Sequence, residues 1–187
     1  MKLYIADNIY DFDLAAALDQ VSEQRRAQAL KFKHEQGQRL CVLAYQLLQQ
    51  GLRELYGITE KPVFAYNEHG KPSIVGHPEI HFNISHCQEA VVCAISDAPI
   101  GVDVETIRAY KERLVDYTMN DEEQAEIKGS DNPSHTFARL WTMKEATAKL
   151  IGTGITHDVK SLIDIQRYHY TTVETLKYIY TVCTFRA

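Results

Sequence analysis

The stretch that decides the architecture is Ile80–Glu105, IHFNISHCQEAVVCAISDAPIGVDVE. Three runs rich in β-branched and apolar residues, Ile80–Ile84, Ala90–Ser96 and Ile100–Val104, follow one another, with Asp97-Ala98-Pro99 dividing the last two. Short apolar runs bounded by turn residues predict strands. Upstream the period changes to that of a helix: Leu40, Leu43, Ala44, Leu47, Leu48, Leu52 and Leu55 share one face, and Gly57 follows as a stop. Gln38–Tyr56 is therefore predicted as an amphipathic helix.

Further outward, Val63–Tyr66 and Ser73–Val75 flank the turn-forming Asn67-Glu68-His69-Gly70 and predict a hairpin. Ser22–Phe32 reads as a helix capped by Ser22, with Arg25 and Arg26 in its early turns, and Lys2–Ile5 as a strand. Downstream, Asn120 and Glu123 have the spacing of a capping box. Ser134 is expected to cap a second long helix, with Phe137, Leu140, Trp141 and Ala148 inward and Gly152 and Gly154 at its end. Ser161–Ile165, Tyr168–Thr172 and Leu176–Phe185 then read as strands. The expectation is an α+β fold of two halves, each a long helix with a small antiparallel sheet: residues 1–106, a charged connecting segment 107–133, and residues 134–187.

The composition is ordinary for a globular chain of 187 residues: 45% hydrophobic, 24% charged and 10% aromatic. A net charge of −5 argues against a general nucleic-acid binder. The longest strictly apolar run, Ala90–Ile95, is too short to cross a bilayer, and Met1–Asp13 carries three acids and does not read as a signal peptide. Cys41, Cys87, Cys93 and Cys183 form no C-x-x-C pair and read as reduced thiols of a cytoplasmic protein.

Four groups of residues are suited to chemistry. Asp103 and Glu105 stand at i and i+2 on a strand, so both carboxylates leave one face, a pair suited to Mg²⁺ or simply to a solvated strand end. Glu145 and Lys149 share a helical face one turn after Trp141, either as a surface ion pair or as the wall of a cleft. Asn83, Ser85 and His86 lie in FNISH at a strand end, where a hydroxyl and an imidazole can meet phosphate oxygens. In Gly70-Lys71-Pro72 the proline fixes the backbone after a lysine that can be presented to an anion.

Taken in order, GKP at 70–72, FNISH at 82–86, IGVDVE at 100–105 and FARLWTMKEATAKLIGTGI at 137–155 resemble the surfactin-synthetase-activating (Sfp-type) family of 4′-phosphopantetheinyl transferases. The resemblance implies a transferase that moves phosphopantetheine from coenzyme A to a serine of an apo acyl or peptidyl carrier protein, releasing 3′,5′-ADP. It implies Mg²⁺, with Mn²⁺ as the other candidate, held by Asp103, Glu105 and Glu145, and Lys149 on the diphosphate. Ser85 and His86 would contact phosphates, with Asn83 in the same loop. Lys71 and Pro72 would line the nucleotide end, and Arg26 is the expected N-terminal basic contact. Glu145, directly or through a water on the metal, is the expected base, with a water held by Asp103 as the other choice. The resemblance further implies a pseudo-twofold arrangement with the site in the cleft between the halves, and a monomer working in the cytoplasm without nucleic acid or membrane.

Lys111, Arg113 and Arg139 are candidates for a strip that meets an acidic carrier. Where many relatives carry an acidic and a basic residue at the start of the first long helix, this chain has Gln36-Gly37-Gln38-Arg39, with no acidic partner expected for Arg39 nearby. The rival readings are a coenzyme A or nucleotide-binding module without turnover, and another Mg²⁺-dependent phosphotransferase or hydrolase.

Overall fold

The computed structural model describes residues 1–155 and 158–186. Its elements run β1 (Lys2–Ala6), α1 (Leu14–Gln20), α2 (Glu23–Ala29), α3 (Glu35–Tyr56), β2 (Phe64–Tyr66), β3 (Pro72–Ile74), β4 (His81–His86), β5 (Val91–Ser96), β6 (Ile100–Thr106), α4 (Glu112–Thr118), α5 (Asp121–Gly129), α6 (Pro133–Ile151), a 3₁₀ turn at Val159–Ser161, β7 (Tyr168–Glu174) and β8 (Tyr178–Phe185). The fold is α+β, with six α-helices and small antiparallel sheets among the described residues.

The strand alternation of β5 builds the layers. Val91, Cys93 and Ile95 point to one side and pack with Leu48 and Leu52 of α3. Val92 and Ala94 point to the other side and pack with Val102 and Val104 of β6 and Tyr180 and Val182 of β8. The sheet β1-β5-β4 thus carries α3 on one face and a second sheet, β6-β8-β7, on the other. On the far face of that second sheet lies α6, with Ala146 and Leu150 against Cys183 and Tyr168. Gly101 is what lets α6 come so close, since a Cβ there would collide with the backbone of Ala146 and Leu150. Val115 in the middle of α4, Met119 just after it and Ile127 of α5 form a small core with Phe137 and Leu140 of α6.

Local signals account for the boundaries. Ser22 Oγ accepts the Arg25 N–H at the start of α2, and the Asn120–Glu123 capping box closes reciprocally at the start of α5. Gly57 and Gly152 end α3 and α6 in the left-handed conformation (φ 68° and 82°).

Four local expectations change. The cap of α6 is Asn132, whose side chain accepts the His135 N–H, so Ser134 is already inside the helix. Ser161–Ile165 is not a strand; Asp164 instead caps a turn by accepting the Gln166 and Arg167 N–H groups. The long helix α3 begins at Glu35, and Glu35 itself is the acidic partner not expected near Arg39. Arg39 bonds Glu35 one turn earlier (2.7 Å) and donates to the Phe12 carbonyl (2.8 Å). The short helices α1 and α4 were not expected.

Candidate active site

The edge strands β4 and β6 meet without a backbone ladder. Asn83 joins them: its Oδ1 accepts the Val102 N–H at 2.8 Å, and the residue is buried. Two positions along β4, on the same face, Ser85 donates to Asp103 Oδ1 at 2.8 Å. Lys149, on the last turn of α6, donates to that same oxygen at 2.5 Å and to Ser85 Oγ at 2.9 Å. Three elements distant in sequence therefore converge on one carboxylate. Asp103 is 3% exposed, and its second oxygen, Oδ2, is buried without a hydrogen-bond partner among the described residues. An unpartnered buried carboxylate oxygen is costly, so this is a position suited to a cation.

Glu105 and Glu145 share the neighbourhood of Asp103. Burial, and then the Asp103 charge, push the Glu105 carboxyl up to about 7, with Arg108 opposing. Burial and then Asp103 likewise raise Glu145, with Lys149 opposing. Burial first and the neighbouring Asp103 charge second thus make both glutamates hold their negative charge less readily than in water, as expected where acids crowd a partly buried site. The three do not yet form a coordination shell: no group of three or more His, Cys, Asp or Glu side chains among the described residues is gathered tightly enough to hold a metal ion as it stands. Asp103 is instead drawn to Lys149. The donor set, all carboxylate oxygen, fits a hard divalent cation such as Mg²⁺.

A row of surface hollows with shared lining residues passes these groups. At one end Lys71, Pro72 and Asn83 line it with Glu145 and Lys149. Next come Arg25, Asn83 and His86, then His86 with Glu105, Arg108 and Lys33. Beyond Glu105 the walls become apolar, with Leu114, Phe137 and Trp141 beside Arg108 and Lys111. The indole of Trp141 stacks on Phe137, ring centroids 6.4 Å apart.

Lys71 has a definite partner. Its ammonium donates to the Leu150 carbonyl at 2.8 Å, and Asn67 Nδ2 donates to the Gly152 carbonyl, so the hairpin turn satisfies the C-terminal end of α6. Burial pushes the Lys71 ammonium below its ordinary value. His86 is exposed at the rim, yet surrounding protein and then the Lys149 charge lower its imidazole.

Arg26 is not brought to this groove. It pairs with Asp19 on the outside of α2 at 3.0 Å, about half exposed. The neighbouring Arg25 is the one that reaches it: its guanidinium lies over the rings of Tyr45 and Phe64, donates to Cys41 Sγ, and lines the groove with Asn83 and His86. The burial phase of α2 explains the choice: Arg25 lies one turn before the fully buried Ala29, whereas Arg26 lies one turn before the exposed Leu30. Of the expected carrier strip, Lys111 lines the apolar end of the groove and Arg139 pairs with Glu126.

Residues 99–182 match the model of the 4′-phosphopantetheinyl transferase superfamily. The chain is thus a relative of that superfamily. Within it, the similarities that run along most of the chain are to Sfp-type proteins. The 4′-phosphopantetheinyl transferase psf-1 of Bacillus pumilus is 32% identical over 144 residues, 75% of this chain and 62% of that protein. The transferase Sfp of Bacillus subtilis (strain 168) is 29% identical over 138 residues, 72% of this chain and 62% of that protein. AcpT of Escherichia coli O157:H7 is 33% identical over 96 residues, 49% of each. The chain spans about 62% of the length of these Bacillus relatives. No helix among the described residues is long and apolar enough to cross a membrane.

Proposed function

We propose that this protein transfers 4′-phosphopantetheine from coenzyme A to a serine hydroxyl of an apo carrier protein and releases 3′,5′-ADP. The observation that carries the reading is the Asp103 carboxylate, bonded through one oxygen to Lys149 and Ser85 and bare at the other, with Glu105 and Glu145 beside it. Simple binding of a nucleotide does not call for three carboxylates beside a bound diphosphate. The names of the relatives support the same activity.

In this reading Asp103, Glu105 and Glu145 hold Mg²⁺, or Mn²⁺ in its place. The ion, when bound, offsets charge on the diphosphate as the leaving group departs. Lys149 and His86 donate charge-assisted hydrogen bonds to the phosphates, and Ser85 fixes Lys149 in position. Lys71 and Pro72 form the wall at the nucleotide end, Asn83 holds the seam, and Arg25 rather than Arg26 supplies the N-terminal positive charge. Glu145, directly or through a water, takes the proton from the carrier serine, since it stands beside both Asp103 and Lys149. The apolar end around Leu114, Phe137 and Trp141, with Lys111 at its rim, receives the carrier. The α3 and α6 halves are related by an approximate twofold, with coenzyme A in the groove between them, and the protein works as a cytoplasmic monomer.

The test incubates the protein with coenzyme A, Mg²⁺ and a panel of apo acyl and peptidyl carriers, followed by intact mass. One carrier gains a single phosphopantetheinyl group, and Asp103→Ala and Glu145→Ala proteins that remain folded do not support the gain. Release of 3′,5′-ADP without a carrier would mark a hydrolase instead, and binding with no release a coenzyme A-binding module.

A further inference from the structure

The buried face of α6 is not wholly apolar. Thr142 and Thr147, three residues before and two after Glu145, are both fully buried, and both side chains are seated on the β6-β8-β7 sheet. Thr142 Oγ1 lies 2.8 Å from Thr181 Oγ1, and Thr181 Oγ1 lies 2.9 Å from Thr172 Oγ1. Thr142 also donates to the Arg139 carbonyl at 2.8 Å. Each hydroxyl has one proton, so the direction of the chain follows. Thr142 gives its proton to Arg139, Thr181 must then donate to Thr142, and Thr172 to Thr181. On the other side of Glu145, Thr147 donates to the Met143 carbonyl and meets the Tyr170 hydroxyl at 2.9 Å.

The ladder register gives this chain its meaning. Thr181 is the direct cross-strand partner of Asp103, and Cys183 that of Gly101. Directly opposed residues of an antiparallel pair leave the same face side by side. Thr181 therefore stands next to Asp103 on the sheet and is bonded to the helix one turn before Glu145. A helix lying on apolar side chains alone has neighbouring positions of similar energy. Directional bonds with every proton assigned single out one of them.

We propose that Thr142, Thr181 and Thr172 are positioning residues that set the rotation of α6 over β6, and so the spacing between the Glu145 and Asp103 carboxylates. None of the three touches the groove; they act through Glu145. The inference rests on the reading of these carboxylates as the divalent-ion set.

Mn²⁺ titration of the full-length protein, alone and with coenzyme A, followed by electron paramagnetic resonance, tests it beside a thermal melt. Thr181→Val keeps the shape and removes the donor, Thr142→Val removes the acceptor, and Thr181→Ser restores the hydroxyl. The expected result is that each valine protein melts cooperatively and binds Mn²⁺ about tenfold more weakly, the scale of loss seen when groups supporting metal ligands are removed. Thr181→Ser recovers most of the affinity. Wild-type Mn²⁺ affinity in both valine proteins overturns the proposal, as does failure of both to fold, since the chain would then serve stability alone. An Asp103→Ala protein that binds Mn²⁺ as well as wild type would mark failure of the underlying metal reading instead.

Discussion

At the scale of single residues, the acid cluster makes a pH prediction whose sign is opposite to that of an ordinary salt-bridged carboxylate. Glu105 is raised from 4.5 to about 7, so between those values the folded chain holds a proton that the unfolded chain has released. Stability gained from this group is therefore present at the acid end and lost as pH rises through the window. Melting curves of the metal-free protein are expected to show a falling midpoint from pH 4.5 to about 7, with the slope reduced in Glu105→Gln. A second expectation separates the two adjacent arginines. Arg25→Ala raises the KM for coenzyme A about tenfold, the value of one charge-assisted hydrogen bond, while Arg26→Ala leaves it nearly unchanged. Sequence alone could supply the basic pair but not its phase. Adjacent helical residues point about 100° apart, and the larger apolar side chain, Leu30, stands one turn after Arg26 rather than Arg25. The acids were easier to read, because i and i+2 on a strand must share a face wherever the strand goes. Their distance from Glu145 was not legible, since it depends on how closely Gly101 lets the helix approach.

At the scale of elements, α6 is tied down by a buried lysine in its middle and by the close approach of β6 along its last two turns. Lys144, fully buried, bonds Glu123 at 2.8 Å and the carbonyls of Val159 and Lys160, tying α6 to α5 and to the 3₁₀ turn. Burial lowers its ammonium, and Glu123 opposes that shift. Lys144→Met leaves a buried carboxylate and two carbonyls without their donor and should cost about 3–5 kcal/mol in denaturant unfolding. A Lys144→Met, Glu123→Gln double variant, which removes the buried charge and keeps an acceptor for the Asn120 N–H, should cost less than the single one. Gly101→Ala presses on the backbone of α6 and should destabilise by about 1–3 kcal/mol, with amide exchange quickening along the last two turns of the helix. The elements themselves were readable where the chain carries end signals: Ser22, Gly57, the Asn120 box and Gly152 all mark real termini. They were not readable where tertiary contacts decide. The seven residues of α1 bury only Ala17, too little for an apolar period to show. Ser161–Ile165 has the apolar residues of a strand, yet Ser161 closes the 3₁₀ turn and Asp164 draws the next amides, of Gln166 and Arg167, into a second turn.

At the scale of the whole molecule, two helix-covered sheets pack on each other and their edge strands are joined through the side chains of Asn83, Ser85 and Asp103. A ligand lying along the groove touches residues from both, so binding should add to the resistance of the entire fold to heat. Coenzyme A with Mg²⁺ at one hundred times its dissociation constant is expected to stabilise the protein by about 2.7 kcal/mol. A thermal-shift titration checks this, and Asp103→Ala should lose most of the Mg²⁺-dependent part.

The thiols give this molecule a practical handle. Cys41, Cys93 and Cys183 are sealed in the interior, whereas Cys87 is partly open and sits beside His86 on the groove wall. A maleimide dye added under native conditions would therefore attach at one place, next to where the phosphates are expected. Its emission would report occupancy in real time, with no radioactive or mass-based assay required.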